Sequence, residues 1–167
     1  IALNAKELDI TSVFVDGAPA VHALDIENER LIIGTTEDVA VGTSILDISF
    51  TGTLNDKLRG FYRSTYRDDA GVEHVVAASQ MQSTDCRKAF PCFDEPDMKA
   101  VFAVDLTVED GLMAISNGPE VSRTAWAGDW SIWAMTLRSR RWLCGSKRCA
   151  APAASPAPPS AMRRGHR

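Results

Sequence analysis

The 167-residue sequence predicts an all-β fold, an antiparallel sandwich or saddle-like N-terminal domain followed by a mostly disordered C-terminal tail. Three observations carry this prediction. Apolar and polar residues alternate at period two through residues 1–78 and again from Val101 to Val108, as strands with one wet face require. Turn signals interrupt these runs roughly every 8 to 12 residues, a spacing of antiparallel hairpins rather than of parallel crossover units. Charge then changes sign along the chain: residues 1–123 hold 10 Lys+Arg against 21 Asp+Glu, a net of −11, whereas residues 124–167 hold 8 basic residues and the acid Asp129, a net of +7. The domain boundary is placed at Arg123, giving a β-domain over 1–123 and a basic tail over 124–167.

The elements follow in order. Short strands are expected at VFV (13–15), VHALDIE (21–27) and RLII (30–33), then at ILDISFTG, where Leu46, Ile48 and Phe50 face one way and Asp47, Ser49 and Thr51 the other. Asp16-Gly17-Ala18-Pro19, Glu27-Asn28-Glu29, Val41-Gly42-Thr43 and Asp68-Asp69-Ala70-Gly71 supply the turns between strands. GFYRSTYRDDAGVEHVVAAS reads as one hairpin, with strands over 60–67 and 72–79 joined at the acidic turn. In VFAVDLTV, Phe102, Val104, Leu106 and Val108 share a face, and Gly111 turns the chain toward LMAIS.

Beyond Thr124 the composition is different. Trp126, Trp130 and Trp133 fall at i, i+4, i+7 and predict an amphipathic helix with a basic end; the Ala/Pro/Ser-rich stretch after it is too poor in apolar residues to form a core and is expected to be disordered. Such a break is expected of a shifted reading frame in a GC-rich gene, with a natural appendage as the alternative. The tail reads as solvated rather than as a nucleic-acid arm. No apolar run approaches the roughly 18 to 20 residues that cross a bilayer, and the start lacks the features of a secretory signal, so the expectation is a cytoplasmic protein without membrane or nucleic-acid partners.

The segment SQMQSTDCRKAFPCFDEP, residues 79–96, is too mixed for a strand and too broken by Pro91 and Pro96 for a helix. Gln80 and Gln82 stand at the end of the preceding hairpin. Ser83 or Thr84 is expected to cap one helical turn through Asp85 and Lys88. Phe90, Cys92 and Phe93 belong in a core, and Arg87 is expected to pair with Asp94 or Glu95 and hold the corner. The four cysteines lack C-x2-C spacing and read as buried or free thiols rather than metal ligands; His22 and His74 read as ordinary strand residues.

This segment, with KAVFAVDLTV and GLMAISNGPEV after it, resembles the N-terminal β-domain of the zinc aminopeptidases of the aminopeptidase N type. Those proteins show Thr/Ser-Gln-x-Glu, then Ala-Arg-x-x-Phe-Pro-Cys-x-Asp-Glu-Pro, a Lys-Ala-x-Phe strand and Leu-x-x-x-Ser-Asn-x-Pro. Matching positions here are Ser79, Gln80, Arg87, Phe90, Pro91, Cys92, Asp94, Glu95, Pro96, Lys99, Ala100, Phe102, Ser116, Asn117 and Pro119, within a likeness that spans about residues 1–123. The resemblance implies a domain that packs on a catalytic domain, its partner, and presents Gln80 and Gln82 to peptide N-termini. Two amide oxygens at i and i+2 suit a free α-amino group, which needs acceptors in a fixed fork. Gln82 departs from the pattern, where Glu is common, and exchanges a charge-assisted contact for a weaker neutral one.

The resemblance also implies Zn2+ in the full-length family, held by His-Glu-x-x-His and a distant Glu. His22, His74 and His166 are the histidines of this sequence, and none begins such a motif. No residue of the chain is therefore assigned catalysis or metal binding, no cofactor is expected within it, and the expectation is a truncated aminopeptidase, inactive alone. A non-enzymatic β-sandwich that binds peptides or proteins is the alternative.

Overall fold

A computed structural model describes residues 1–124 and, as backbone alone, 134–144 and 147–150. Along the chain lie β1 (Ala2–Asn4), β2 (Leu8–Val15), β3 (Ala18–Pro19), β4 (Val21–Asp25), β5 (Arg30–Gly34), β6 (Leu46–Gly52), β7 (Gly60–Arg67) and β8 (Glu73–Gln80). A single 3-10 turn at Cys86–Lys88 follows, then β9 (Ala100–Thr107), β10 (Ala134–Cys144) and β11 (Lys147–Ala150). The strands form three three-stranded sheets, ordered β1-β5-β4, β3-β2-β6 and β11-β10-β9, and the two-stranded ribbon β7-β8. All of these strand pairings are antiparallel, as the alternation predicts.

The core lies where the first two sheets meet. Leu3 of β1, Val13 and Val15 of β2, and Leu31 and Ile33 of β5 are buried with Ala5 and Leu8, and Ile48 and Phe50 of β6 pack against them. Period two produces this directly: in β5, Leu31 and Ile33 turn inward at 0% and 2% exposure while Ile32 between them is 41% exposed. Each fully buried aliphatic side chain contributes about 1.5 to 3 kcal/mol. In β6 the residues expected on one face, Leu46, Ile48 and Phe50, are half-buried, and Asp47, Ser49 and Thr51 are exposed.

A second, smaller cluster holds Ala89, Phe90 and Cys92, with Phe50, Phe61, Met81 and Cys86 packed on it. Phe50 belongs to both clusters and ties the 79–96 corner to the sandwich. A bridge of backbone hydrogen bonds does the same. The Asn4 N–H donates to the Cys92 carbonyl at 2.7 Å and the Cys92 N–H to the Asn4 carbonyl at 3.0 Å. The Lys6 N–H donates to the Arg87 carbonyl at 2.9 Å.

Two local expectations are corrected. The turn after β8 is a 3-10 turn of three residues whose N-cap is Asp85, with no side-chain cap bond, so neither Ser83 nor Thr84 caps it. Asp85 is instead fixed through its backbone, its N–H donating to the Met81 carbonyl at 3.0 Å. On β9, Phe102 meets Phe90 edge-on with ring centroids 6.0 Å apart, while Phe102 remains 46% and Val104 36% exposed. Past Arg123, where the sequence predicts a helix with a basic end, β10 is strand and pairs along β9 from Ala134↔Thr107 to Trp142↔Ala100. The amphipathic helix with a basic end expected over 126–149 is therefore not formed in 134–144 and 147–149, which are strand; its first part, 126–133, and the disorder expected beyond residue 150 lie outside the described residues.

Candidate functional site

Gln80 is the last residue of β8 and sits opposite Gly60 at the start of β7. Gln82 lies two residues on, in the turn, beyond the ladder. The alternation nevertheless continues past the strand end: Gln80 and Gln82 are exposed, and Met81 between them is half-buried against Ala89, Phe90 and Cys92. Both amides are thus held at the surface by a backbone whose apolar residue is anchored beneath them. No other described residue hydrogen-bonds either amide.

The ground under this strand end is tight. Gly60 has φ +71°, and a Cβ there would stand 2.6 Å from the Lys88 Cβ and 3.1 Å from the Asp85 carbonyl. Glycine is needed twice over at this position, for the left-handed backbone and for the close approach of the 3-10 turn. Asp85 faces Lys88 at 3.5 Å and Arg59 at 4.0 Å, which ties that turn to the β7 end of the ribbon.

Behind it runs an ion-pair network. The Arg87 Nε donates to Asp94 Oδ2 at 2.9 Å, and the Arg87 backbone N–H reaches the same oxygen at 3.2 Å. Arg87 Nη1 donates to Glu29 Oε2 at 3.1 Å, and Lys6 Nζ bonds the other oxygen of Glu29. The Asn4 side chain accepts from the Asp94 N–H at 3.2 Å. Asp94 is only 7% exposed, so its charge is tolerable only because a guanidinium faces it. Burial works against the Arg87 charge, but the hydrogen bonds and charges of Asp94 and Glu29 outweigh it and raise its pKa. The hydrogen bond from Lys6, with the charges of Lys6 and Arg87, holds Glu29 below the usual carboxylate range.

Of the two acids the sequence offered Arg87, the structure selects Asp94. Glu29, Lys6 and Asn4 are not legible in the sequence, since they lie 23 to 90 residues from their partners. One signal was present. Glu29 was recognised as a turn residue, and it adopts φ 54°, rare for a side-chain-bearing residue.

His22 and His74 lie in β4 and β8, as expected of strand residues. His74 Nε2 meets Asp68 Oδ2 at 2.8 Å and its ring stacks on Tyr66 at 5.1 Å. Among the described residues one group could be asked to hold a metal: Cys86, Cys92 and Asp94, whose ligand atoms lie within 4.8 Å of one another. It does not fit zinc. A structural zinc site takes four ligands, whereas this group offers three, and the Asp94 carboxylate among them is engaged by the Arg87 cation.

These features define a class: an all-β domain that displays paired amides on a braced strand end and contains no metal-hydrolase centre among its described residues. The chain belongs to the Peptidase M1 N-terminal domain family, whose model matches residues 1–138 and so extends past the Arg123 boundary. It is 42% identical over 127 residues to Aminopeptidase M1-B of Oryza sativa subsp. japonica, covering 74% of this chain and 14% of that protein. It is 41% identical over 123 residues to the Alanine/arginine aminopeptidase of Saccharomyces cerevisiae, covering 70% of this chain and 14% of that protein. To the Puromycin-sensitive aminopeptidase of Caenorhabditis elegans it is 56% identical over 79 residues, 47% of this chain and 8% of that protein. The chain thus spans about a seventh of the length of the first two relatives.

Proposed function

We propose that this chain is the substrate-flanking domain of a zinc-dependent aminopeptidase, that it positions the N-terminal residue of a peptide through Gln80 and Gln82, and that it is inactive alone. The observation that carries the reading is the strand end itself: two exposed amides bracket the anchored Met81, and no described neighbour takes up their hydrogen bonds. An ammonium group donates three hydrogen bonds and has no acceptor, so two amide oxygens can take two of them. Polarisation of the scissile carbonyl and activation of water are the chemistry zinc supplies, and both belong to a catalytic domain that this one would dock against. Family membership and the aminopeptidase names of the relatives support that context.

The experiment has two arms. In the first, the 167-residue chain is assayed on aminoacyl reporter substrates with and without added zinc, and no turnover is expected. In the second, residues 1–123 replace the corresponding region of the rice Aminopeptidase M1-B. There Gln82→Glu, which restores a charge-assisted contact worth about 1 kcal/mol more, should lower KM about fivefold with kcat little changed. Gln80→Ala should raise KM. Zinc-dependent release by the isolated chain would overturn the claim of inactivity, and a chimera indifferent to both substitutions would overturn the assignment of the amides.

A further inference from the structure

One pair of reactive groups in this corner has no part in substrate positioning. Cys86 is half-buried in the 3-10 turn and Cys92 is 2% exposed beneath it, with their sulfurs within 4.8 Å. Both backbones are pinned. The Cys86 carbonyl accepts from the N–H groups of Ala89 at 2.8 Å and Phe90 at 3.1 Å, and Cys92 exchanges two hydrogen bonds with Asn4. The proximity of the thiols is therefore built into the corner. The Asp94 carboxylate beside them is engaged by Arg87, which leaves two sulfurs and no third free ligand.

We propose that Cys86 and Cys92 form an oxidisable thiol pair, a modification site at which a peroxide converts the two thiols to an intrachain disulfide that clamps the corner behind Gln82. Cys86, the more exposed thiol, reacts first: its sulfur takes one oxygen of the peroxide as the O–O bond breaks, giving a sulfenic acid and one water. Cys92 then attacks that sulfur. The S–S bond forms, the S–O bond breaks, and the hydroxyl leaves with the Cys92 proton as a second water. Two thiols and one peroxide thus yield one disulfide and two waters. From a separation within 4.8 Å the sulfurs must close to about 2.05 Å to form the bond. Burial of Cys92 at 2% exposure shields it from peroxide, whereas Cys86 is half-buried, which assigns Cys92 the second step rather than the first.

The test uses the 167-residue chain with Cys144→Ser and Cys149→Ser, so that only this pair reports. After hydrogen peroxide, alkylation and peptide mapping, a cystine joining 86 and 92 is expected. The intact mass should be lower by two hydrogens, the thermal midpoint higher by a few degrees, and both should be reversed by dithiothreitol. Adding Cys86→Ala, which removes the entry thiol and spares the buried one, should abolish the mass change and leave Cys92 alkylatable only after unfolding. Sulfinic or sulfonic acid at Cys86 with Cys92 still a thiol would overturn the proposal. So would two unmodified thiols, or zinc retained stoichiometrically by the parent and lost in Cys86→Ala.

Discussion

Arg87 is the residue on which the corner turns. It faces Asp94 at 2.9 Å and Glu29 at 3.1 Å, and its backbone carbonyl receives the Lys6 N–H. Arg87→Ala leaves Asp94 charged and nearly buried, so urea denaturation should show a loss of about 3 kcal/mol; a loss below about 1 kcal/mol would mean that water replaces the guanidinium. Glu29 adds a pH dependence. Its folded pKa lies below the ordinary 4.5, so the unfolded chain binds the proton more readily. The stabilisation is present above about pH 4.5 and lost as pH falls through the folded value. Urea midpoints taken from neutral pH downward should therefore fall less steeply in Glu29→Gln than in the parent. The pairing of Arg87 with an acid was legible from seven residues of local sequence, but Glu29 was not, because a partner 58 residues away is chosen by the fold.

At the scale of elements, alternation located β2 and the strands from β4 to β9, whereas β3 (Ala18–Pro19) falls in a stretch read as a turn, and the hairpin β7-β8 begins at the residue expected. Its position on the 3-10 turn depends on one glycine. Gly60→Ala introduces both a left-handed alanine and a Cβ at 2.6 Å from the Lys88 Cβ. A destabilisation of about 2 kcal/mol or more is expected, together with chemical-shift changes at Gln80 and Gln82 in NMR spectra. Unchanged shifts there would separate the strand end from the turn. In the sandwich, Leu31→Ala at 0% exposure should cost about 3 kcal/mol in thermal or urea unfolding. What the elements hid was their pairing: β5 lies between β1 and β4, and β2 between β3 and β6, an order that local alternation does not encode.

For the whole molecule the surface is informative. Val21 at 76%, Ile26 at 86%, Ile115 at 82% and Val121 at 96% are large apolar side chains left at the surface. Light scattering should find the chain associating as its concentration rises, and a monodisperse monomer throughout would argue that these faces need no cover. Among the described residues no helix is long and apolar enough to cross a membrane. The sequence by itself determined the strands, the turns and the composition of the 79–96 corner, because period two, glycine and proline act over a few residues. It also determined the family resemblance, because the motif is contiguous. Only the tertiary structure decided that Asp94 rather than Glu95 takes Arg87, that Glu29 joins them, that Cys86 meets Cys92 and that Gly60 admits the turn. Those contacts depend on which strands lie side by side, and that is settled by burial and backbone pairing across the whole chain.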